Sequence, residues 1–401
     1  MIFIDLIQAM GRDELIAFFW MSILLDVPRY FLSAVILAIV RPSGVGTASP
    51  DRPVSAIVSC YNEEHSLRAC IASMQANGVG QIIIVNDGSS DRTYEVAVET
   101  GASLVINLPE RIGKPLAVNV ALPQCTGEAV LIADADTVFA PGSVATALSY
   151  LEPGIGGVCF NLGVANETAT LTTRFQAIEY FIIFTVGKTM ADVFNIMPNV
   201  SGAAGLYSRA ALESVGGLDC EVAEDAALSM KLRVKGWNLR YSYDACAATE
   251  APETPVDLFL QRLRWDASIV TIWWHKFGYL LNPFSRQFTP RNLCASLDVL
   301  VFSMFMPLLW PPYLTWVWTK IGLDDLLILF AGVLTALFAM EVLILLLLRA
   351  PIRYLPYLPY YLVVQTFVMR PFRVLALVAE LVFKVTHYDD YIPRAQRWRL
   401  T

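Results

Sequence analysis

From Leu326 to Leu348 the chain is apolar apart from Glu341, and a run of this kind is hard to bury in any water-soluble fold. A helix rises ~1.5 Å per residue, so the run is long enough to cross a hydrocarbon layer of ~30 Å. Similar runs lie near Leu297–Trp318 and from Tyr357 to Phe383, the latter broken by Arg370 and Pro371. Whether that last stretch is one long span or a short hairpin stays open at this level. A fourth run, Leu15 to Val40, is interrupted by Asp26, Pro28 and Arg29, and the start Met1 to Gln8 has no basic region of the kind that opens a cleavable signal peptide. The composition, 56% hydrophobic against 16% charged, thus reflects apolar ends around a normally charged middle. Ionised groups are costly in hydrocarbon, so Glu341, Arg370 and Glu380 are expected to face a channel or a protein partner.

The middle changes period. VSAIVSC, QIIIVN, ASLVINL and EAVLIAD are short apolar runs that alternate with helical stretches such as EEHSLRACIASMQANG. Strands alternating with helices predict βαβ units and a parallel sheet covered on both faces. In such sheets ligands bind beyond the carboxyl ends of the strands. The reading is an α/β chain in four parts: 1–49, an N-terminal membrane segment and linker; 50–255, a water-facing α/β domain; 256–295, an amphipathic interface segment; 296–401, a C-terminal transmembrane region and tail. The net charge of −7 and the lack of a basic run argue against a nucleic-acid partner. Seven cysteines with no CxxC pair give neither a zinc nor a disulfide framework.

Polar motifs stand where the strands end. Tyr61, Asn62, Glu63 and Glu64 follow the first strand and Asp87, Gly88, Ser89 and Ser90 the second, so two adjacent strand ends can hold a base and a ribose. Gly113 and Lys114 open a helix, where a lysine charge and a helix amino end both suit phosphate. Asp134 and Asp136 close an apolar run; two such carboxylates share a tight turn cheaply only with a hard cation, Mg²⁺ or Mn²⁺. Glu224 and Asp225 precede the helical ALSMKLRVKG and offer a general base for a hydroxyl. In Gln261-Arg262-Leu263-Arg264-Trp265, helical spacing puts Gln261, Arg264 and Trp265 on one face: an amide, a guanidinium for phosphate and an indole for a sugar ring.

Taken together and in this order, YNEE, VNDGSSDRT, GK, DAD, ED and QRLRW closely resemble the membrane-integrated family 2 glycosyltransferases, the group of cellulose, hyaluronan and nodulation chitin-oligosaccharide synthases. The resemblance implies a GT-A (Rossmann-like) cytosolic domain between transmembrane helices, with amphipathic interface helices. It implies an integral protein of the plasma (inner) membrane, a UDP-sugar donor, a Mg²⁺ or Mn²⁺ ion, and inversion at the anomeric carbon. The acceptor is then the hydroxyl of a growing β-linked glycan, extended processively with coupled translocation; the alternative is transfer of one sugar to a membrane lipid such as ceramide or polyprenyl phosphate. By the same resemblance Tyr61, Glu63 and Asp87 contact uridine, Lys114 the donor, and Asp134 with Asp136 the ribose, diphosphate and metal. Asp225, beside Glu224, looks like the base, Arg264 a diphosphate ligand, and Trp265 with Gln261 the floor under the acceptor. Phe175, Gln176, Glu179 and Tyr180 resemble the family's interfacial QxxEY helix, and Ser201 with Gly202 the acceptor-lining loop. Two departures stand out: Ala223 replaces the usual Thr before the base, and the gating element expected after the last span has no match, the nearest region being Val385 to Trp398.

Overall fold

The computed structural model describes residues 7–8, 10–11, 20, 31–39, 46–219 and 222–388. Asp26, Pro28 and Arg29 of the first apolar run, and the Val385 to Trp398 region beyond residue 388, lie outside the described residues.

Strands β1 (Val54–Cys60), β2 (Gln81–Asn86), β3 (Leu104–Asn107), β4 (Ala129–Asp134), β5 (Val138–Phe139), β6 (Ile155–Val164), β7 (Ala204–Ser208) and β8 (Asn238–Thr249) form one sheet, ordered β3-β2-β1-β4-β7-β6-β8-β5. Ile57, Val58, Ile83, Ile84, Val85, Leu131 and Ala133 are fully buried, as expected of central strands with helices on both faces. The first four strands of that order are parallel, in agreement with the βαβ pattern. The expectation of a parallel sheet fails at β7, which runs antiparallel to both β4 and β6, so the sheet is mixed. The sequence around the reversal gives little warning: β7 reads AGLYS, and β6 carries Gly156, Gly157 and Gly163, residues poor in strand propensity. The reversal has a positional consequence. Ala133 at the end of β4 pairs with Ala204 at the start of β7, so the loop before β7 reaches the edge where the acidic turn after β4 lies.

The helices are α1 (Ser33–Ile39), α2 (Leu67–Ala76), α3 (Thr93–Glu99), α4 (Lys114–Ala121), α5 (Ser143–Ser149), α6 (Leu171–Phe181), α7 (Thr189–Val193), α8 (Arg209–Val215), α9 (Glu224–Val234) and α10 (Pro255–Ser268). A π turn, Ile182–Lys188, joins α6 to α7 without a break, and a second, Ile269–Lys276, continues α10. Three helices beyond these are long and apolar enough to cross a membrane: Pro290–Ile321, Leu323–Leu347 and Ile352–Phe383. The last passes Arg370 and Pro371 as a continuous helix. A π turn at Gln365–Met369 comes immediately before, and this wider turn makes room for a ring that would crowd an α-helical carbonyl. Arg373 of this helix bonds the buried Asp266 of α10 at 2.8 Å, and Glu380 accepts from the backbone and hydroxyl of Thr386 at 3.0 and 2.8 Å. Glu341 is buried.

Candidate active site

The loops after β1 and β2 are laced together. Asn62, held at φ 58°, donates its backbone N–H to Ser89 Oγ at 3.0 Å and accepts from the Ser90 N–H at 2.9 Å. Glu63 donates its N–H to Thr93 Oγ1 at 2.7 Å, and its carboxylate accepts from Ser66 at 2.5 Å. Gly88 sits at φ 69°, where a Cβ would lie 2.6 Å from the Arg111 nitrogen, so the chain comes this close only because the residue is glycine. The buried Asp87 carboxylate accepts from the N–H groups of Ile112 (2.7 Å) and Gly113 (2.8 Å), fixing the loop that presents Lys114. Burial pushes the Asp87 carboxyl above its ordinary value despite those donors. Tyr61 stands exposed with the Arg111 guanidinium 4.2 Å from its ring centre.

The acidic groups meet at Lys114. Its ammonium bonds Asp134 Oδ1, lies 3.0 Å from the Gly202 carbonyl and 3.3 Å from Glu224 Oε1. A Cβ on Gly202 would sit 3.3 Å from both the Lys114 and the Glu224 head groups, so the absence of a side chain keeps this space open. Asp136 accepts from Thr249 at 2.9 Å; burial first, and then the Asp134 charge, push its carboxyl up to about 7. Burial likewise takes Glu224 up to about 7, against the pull of Lys114. Among the described residues no cluster of three or more His, Cys, Asp or Glu side chains forms a metal site. An all-oxygen pair whose charges repel fits a hard cation that takes its other ligands from phosphate oxygens and water. Asp225, one residue along α9, holds Oδ2 toward Asn199 Nδ2 (2.8 Å) and the Gly202 N–H (3.2 Å), and Oδ1 toward the Ala226 N–H (2.7 Å).

The motif Gln261–Trp265 lies on helix α10. Trp265 is 44% exposed, with the Arg262 guanidinium 4.1 Å from its ring centre and Tyr180 of α6 centred 6.5 Å away. Arg262 is buried and ion-paired with Glu179 of α6, and it also donates to Gln261 at 2.9 Å. Gln261 therefore points at its neighbour Arg262, whereas Arg264 is half-buried.

The structure thus brings together Lys114, Asp134, Glu224, Asp225 and Gly202, with Asp136 two residues past Asp134 in the turn after β4. It places Tyr61, Glu63 and Asp87 at the adjoining strand ends, and Trp265 with Gln261 on the helix that faces α6. Sequence reasoning missed Arg111, Lys188 and Asn199, and named Arg262 only as part of its motif. Lys188 did carry a signal, as the single cation in the apolar stretch FIIFTVGK, and Arg111 stands two residues before the glycine-lysine pair.

Comparison with known proteins places the chain. Residues 55–216 match the Glycosyl transferase family 2. The chain is 29% identical over 266 residues to the poly-beta-1,6-N-acetyl-D-glucosamine synthase of Staphylococcus aureus (strain COL), a match covering 64% of this chain and 62% of that protein. It is also 29% identical over 289 residues to the enzyme of that name from Staphylococcus epidermidis, covering 70% and 66% respectively. The chain therefore spans less than two thirds of these relatives' length. Among solved structures it resembles the mannosyltransferase PcManGT of Pyrobaculum calidifontis, determined with GDP-Man and Mn²⁺: the TM-score is 0.63 at 18% identity, over 91% of this chain and 99% of that one. A mixed sheet of this order, matched over nearly the whole chain at that score, is the GT-A fold. Residues similar to the Glycosyl transferase family 2 thus lie within a GT-A fold, and helices apolar enough to cross a membrane follow.

Proposed function

We propose that this protein is an inverting, metal-dependent glycosyltransferase that moves a sugar from a UDP-sugar to the hydroxyl of a growing β-linked glycan at the cytosolic face of the inner membrane. The observation that carries this reading is the convergence of Asp134, Glu224 and the Gly202 carbonyl on Lys114, with the Asp225 carboxylate beside them. The name of the staphylococcal relatives favours a polymer of β-linked hexose units and makes UDP-N-acetylglucosamine the first donor to try. In the proposed organisation residues 50–255 do the chemistry, 256–295 lie at the interface, and 1–49 with 296–401 hold the membrane.

Asp134 and Asp136 would hold a Mg²⁺ or Mn²⁺ ion, which when bound neutralises charge on the departing diphosphate. Lys114 adds a cation on the phosphate side, and Arg264 a second. Tyr61, Glu63 and Asp87 lie where the base and ribose would rest. Asp225 takes the proton of the attacking hydroxyl while the sugar–phosphate bond breaks, with Glu224 beside it against the Lys114 ammonium. Trp265 gives the acceptor ring a flat face.

The test is to incubate detergent-purified protein with a panel of UDP-sugars and Mn²⁺ or Mg²⁺, then follow UDP release and size the product. A ladder of β-linked oligomers is expected; a single glycolipid would replace the polymer reading with transfer to a membrane lipid, and no UDP release from any donor would end it.

Three further outcomes follow from the same geometry. Activity is expected to vanish in EDTA. Because the raised Asp136 carboxyl must lose its proton to bind a cation, Mn²⁺ affinity measured calorimetrically should fall about tenfold from pH 8 to pH 6. A pH-independent affinity would remove Asp136 from the ligand set. On the acceptor side, Trp265→Ala should raise the acceptor KM with UDP binding little changed, whereas Arg264→Ala should weaken binding of UDP and UDP-sugar together. Equal effects of the two variants on both ligands would contradict this division of roles.

A further inference from the structure

Lys188 ends the π turn that continues α6, and the residue is only 7% exposed. A buried ammonium needs strong acceptors. It donates to the Asn199 carbonyl at 2.6 Å and to Asn199 Oδ1 at 2.8 Å, with the Phe184 ring centred 5.5 Å away. The other end of the same amide, Nδ2, donates to Asp225 Oδ2 at 2.8 Å. Neither end can be exchanged: an ammonium only donates and a carboxylate only accepts, so the amide has one satisfactory orientation between them. A cation on the oxygen side also makes the N–H side a stronger donor. With the Gly202 N–H on the same oxygen and the Ala226 N–H on the other, the plane of the Asp225 carboxylate is held by three donors, two of them fixed backbone groups.

We propose that Lys188, acting through Asn199, is a positioning residue for Asp225, the side-chain arm that locks the carboxylate in the rotamer that meets the acceptor hydroxyl. The inference rests on the reading of Asp225 as the general base. It assigns a catalytic consequence to a buried lysine that reaches Asp225 through Asn199. A base misaimed by a fraction of an ångström loses rate without losing donor affinity, so the signature is a fall in kcat alone.

The experiment compares Lys188→Met, Asn199→Ala, the double variant, Lys188→Arg and Asp225→Asn in full-length protein, each assayed for kcat and for UDP affinity by calorimetry. Lys188→Met and Asn199→Ala should each lower kcat about 10- to 100-fold, with UDP affinity within about threefold of wild type. The double variant should be no slower than Asn199→Ala, because both substitutions cut one chain of contacts. Lys188→Arg, which keeps the cation, should recover most of the loss. If the buried methionine prevents insertion, Asn199→Ala and Asn199→Ser carry the test, since both leave the lysine in place. Wild-type kcat in Asn199→Ala beside an inactive Asp225→Asn would overturn the relay, as would losses that multiply in the double variant. An active Asp225→Asn would instead overturn the base assignment itself.

Discussion

Replacing Asp225 by Asn is expected to lower sugar transfer by about 10²- to 10⁴-fold, the usual contribution of a positioned base, while UDP binds within about threefold of its wild-type affinity. The amide is nearly isosteric, and with its one oxygen at the Oδ2 position it can still accept from the Gly202 N–H and from the Asn199 amide, so the loop before β7 keeps its seat. What it cannot do is take a proton. Its own NH₂ group would then face the Ala226 N–H, which donates toward the Oδ1 position. Single-turnover transfer to a glycan, measured beside calorimetric UDP binding, checks both halves. Turnover near wild type would remove Asp225 from the mechanism, whereas joint loss of turnover and UDP affinity would mean that the site had collapsed.

The second large effect concerns stability. Glu179 of α6 and Arg262 of α10 form an ion pair with side-chain exposures of 9% and 4%, and residues this deeply buried are screened little by water. Removing one partner leaves the other charge uncompensated, at a cost of about 3–5 kcal/mol. Glu179→Gln should therefore lower the melting temperature in detergent by about 10 °C, on the usual scaling for a domain of this size. Glu179→Met with Arg262→Met should regain most of that loss, because apolar residues of similar volume fill the same space without charge. Turnover should not return with it, since Trp265 then loses the guanidinium at its face. An unchanged melting temperature in Glu179→Gln would show that the pair does not hold the two helices together.

These two sites differ in how far the sequence discloses them. Asp225 was legible as a candidate because it sits in a short motif at a helix start, Lys114 because it opens a helix after a glycine, and Asp134 and Asp136 because they close an apolar run at a strand end. The parallel half of the sheet was legible for the same reason, since Val- and Ile-rich runs bounded by turns have one ready interpretation. The reversal at β7 was not, because a five-residue strand with alanine and glycine carries almost no periodic signal. Glu179 was noted only for its motif; its partner Arg262 lies 83 positions away, and nothing local in either segment announces the pairing. The link from Lys188 through Asn199 to Asp225 joins three segments by side-chain contact, information that tertiary approach creates and linear spacing does not contain.

The π turn between α6 and α7 makes chain length a fixed quantity here. Helix α6, the turn and α7 form one uninterrupted backbone, so a single residue gained or lost between Phe181 and Lys188 turns everything beyond it by ~100° and shifts it by ~1.5 Å. Such a change would carry the lysine away from Asn199 while leaving Glu179 and Tyr180 where they were, uncoupling the two ends of the rod. In the surface loops, by contrast, an added residue can bulge into solvent at small cost. Among relatives that keep both ends of this rod, the number of residues between them should be invariant even where the surrounding loops lengthen and shrink, which makes the spacing a marker as diagnostic as any side chain.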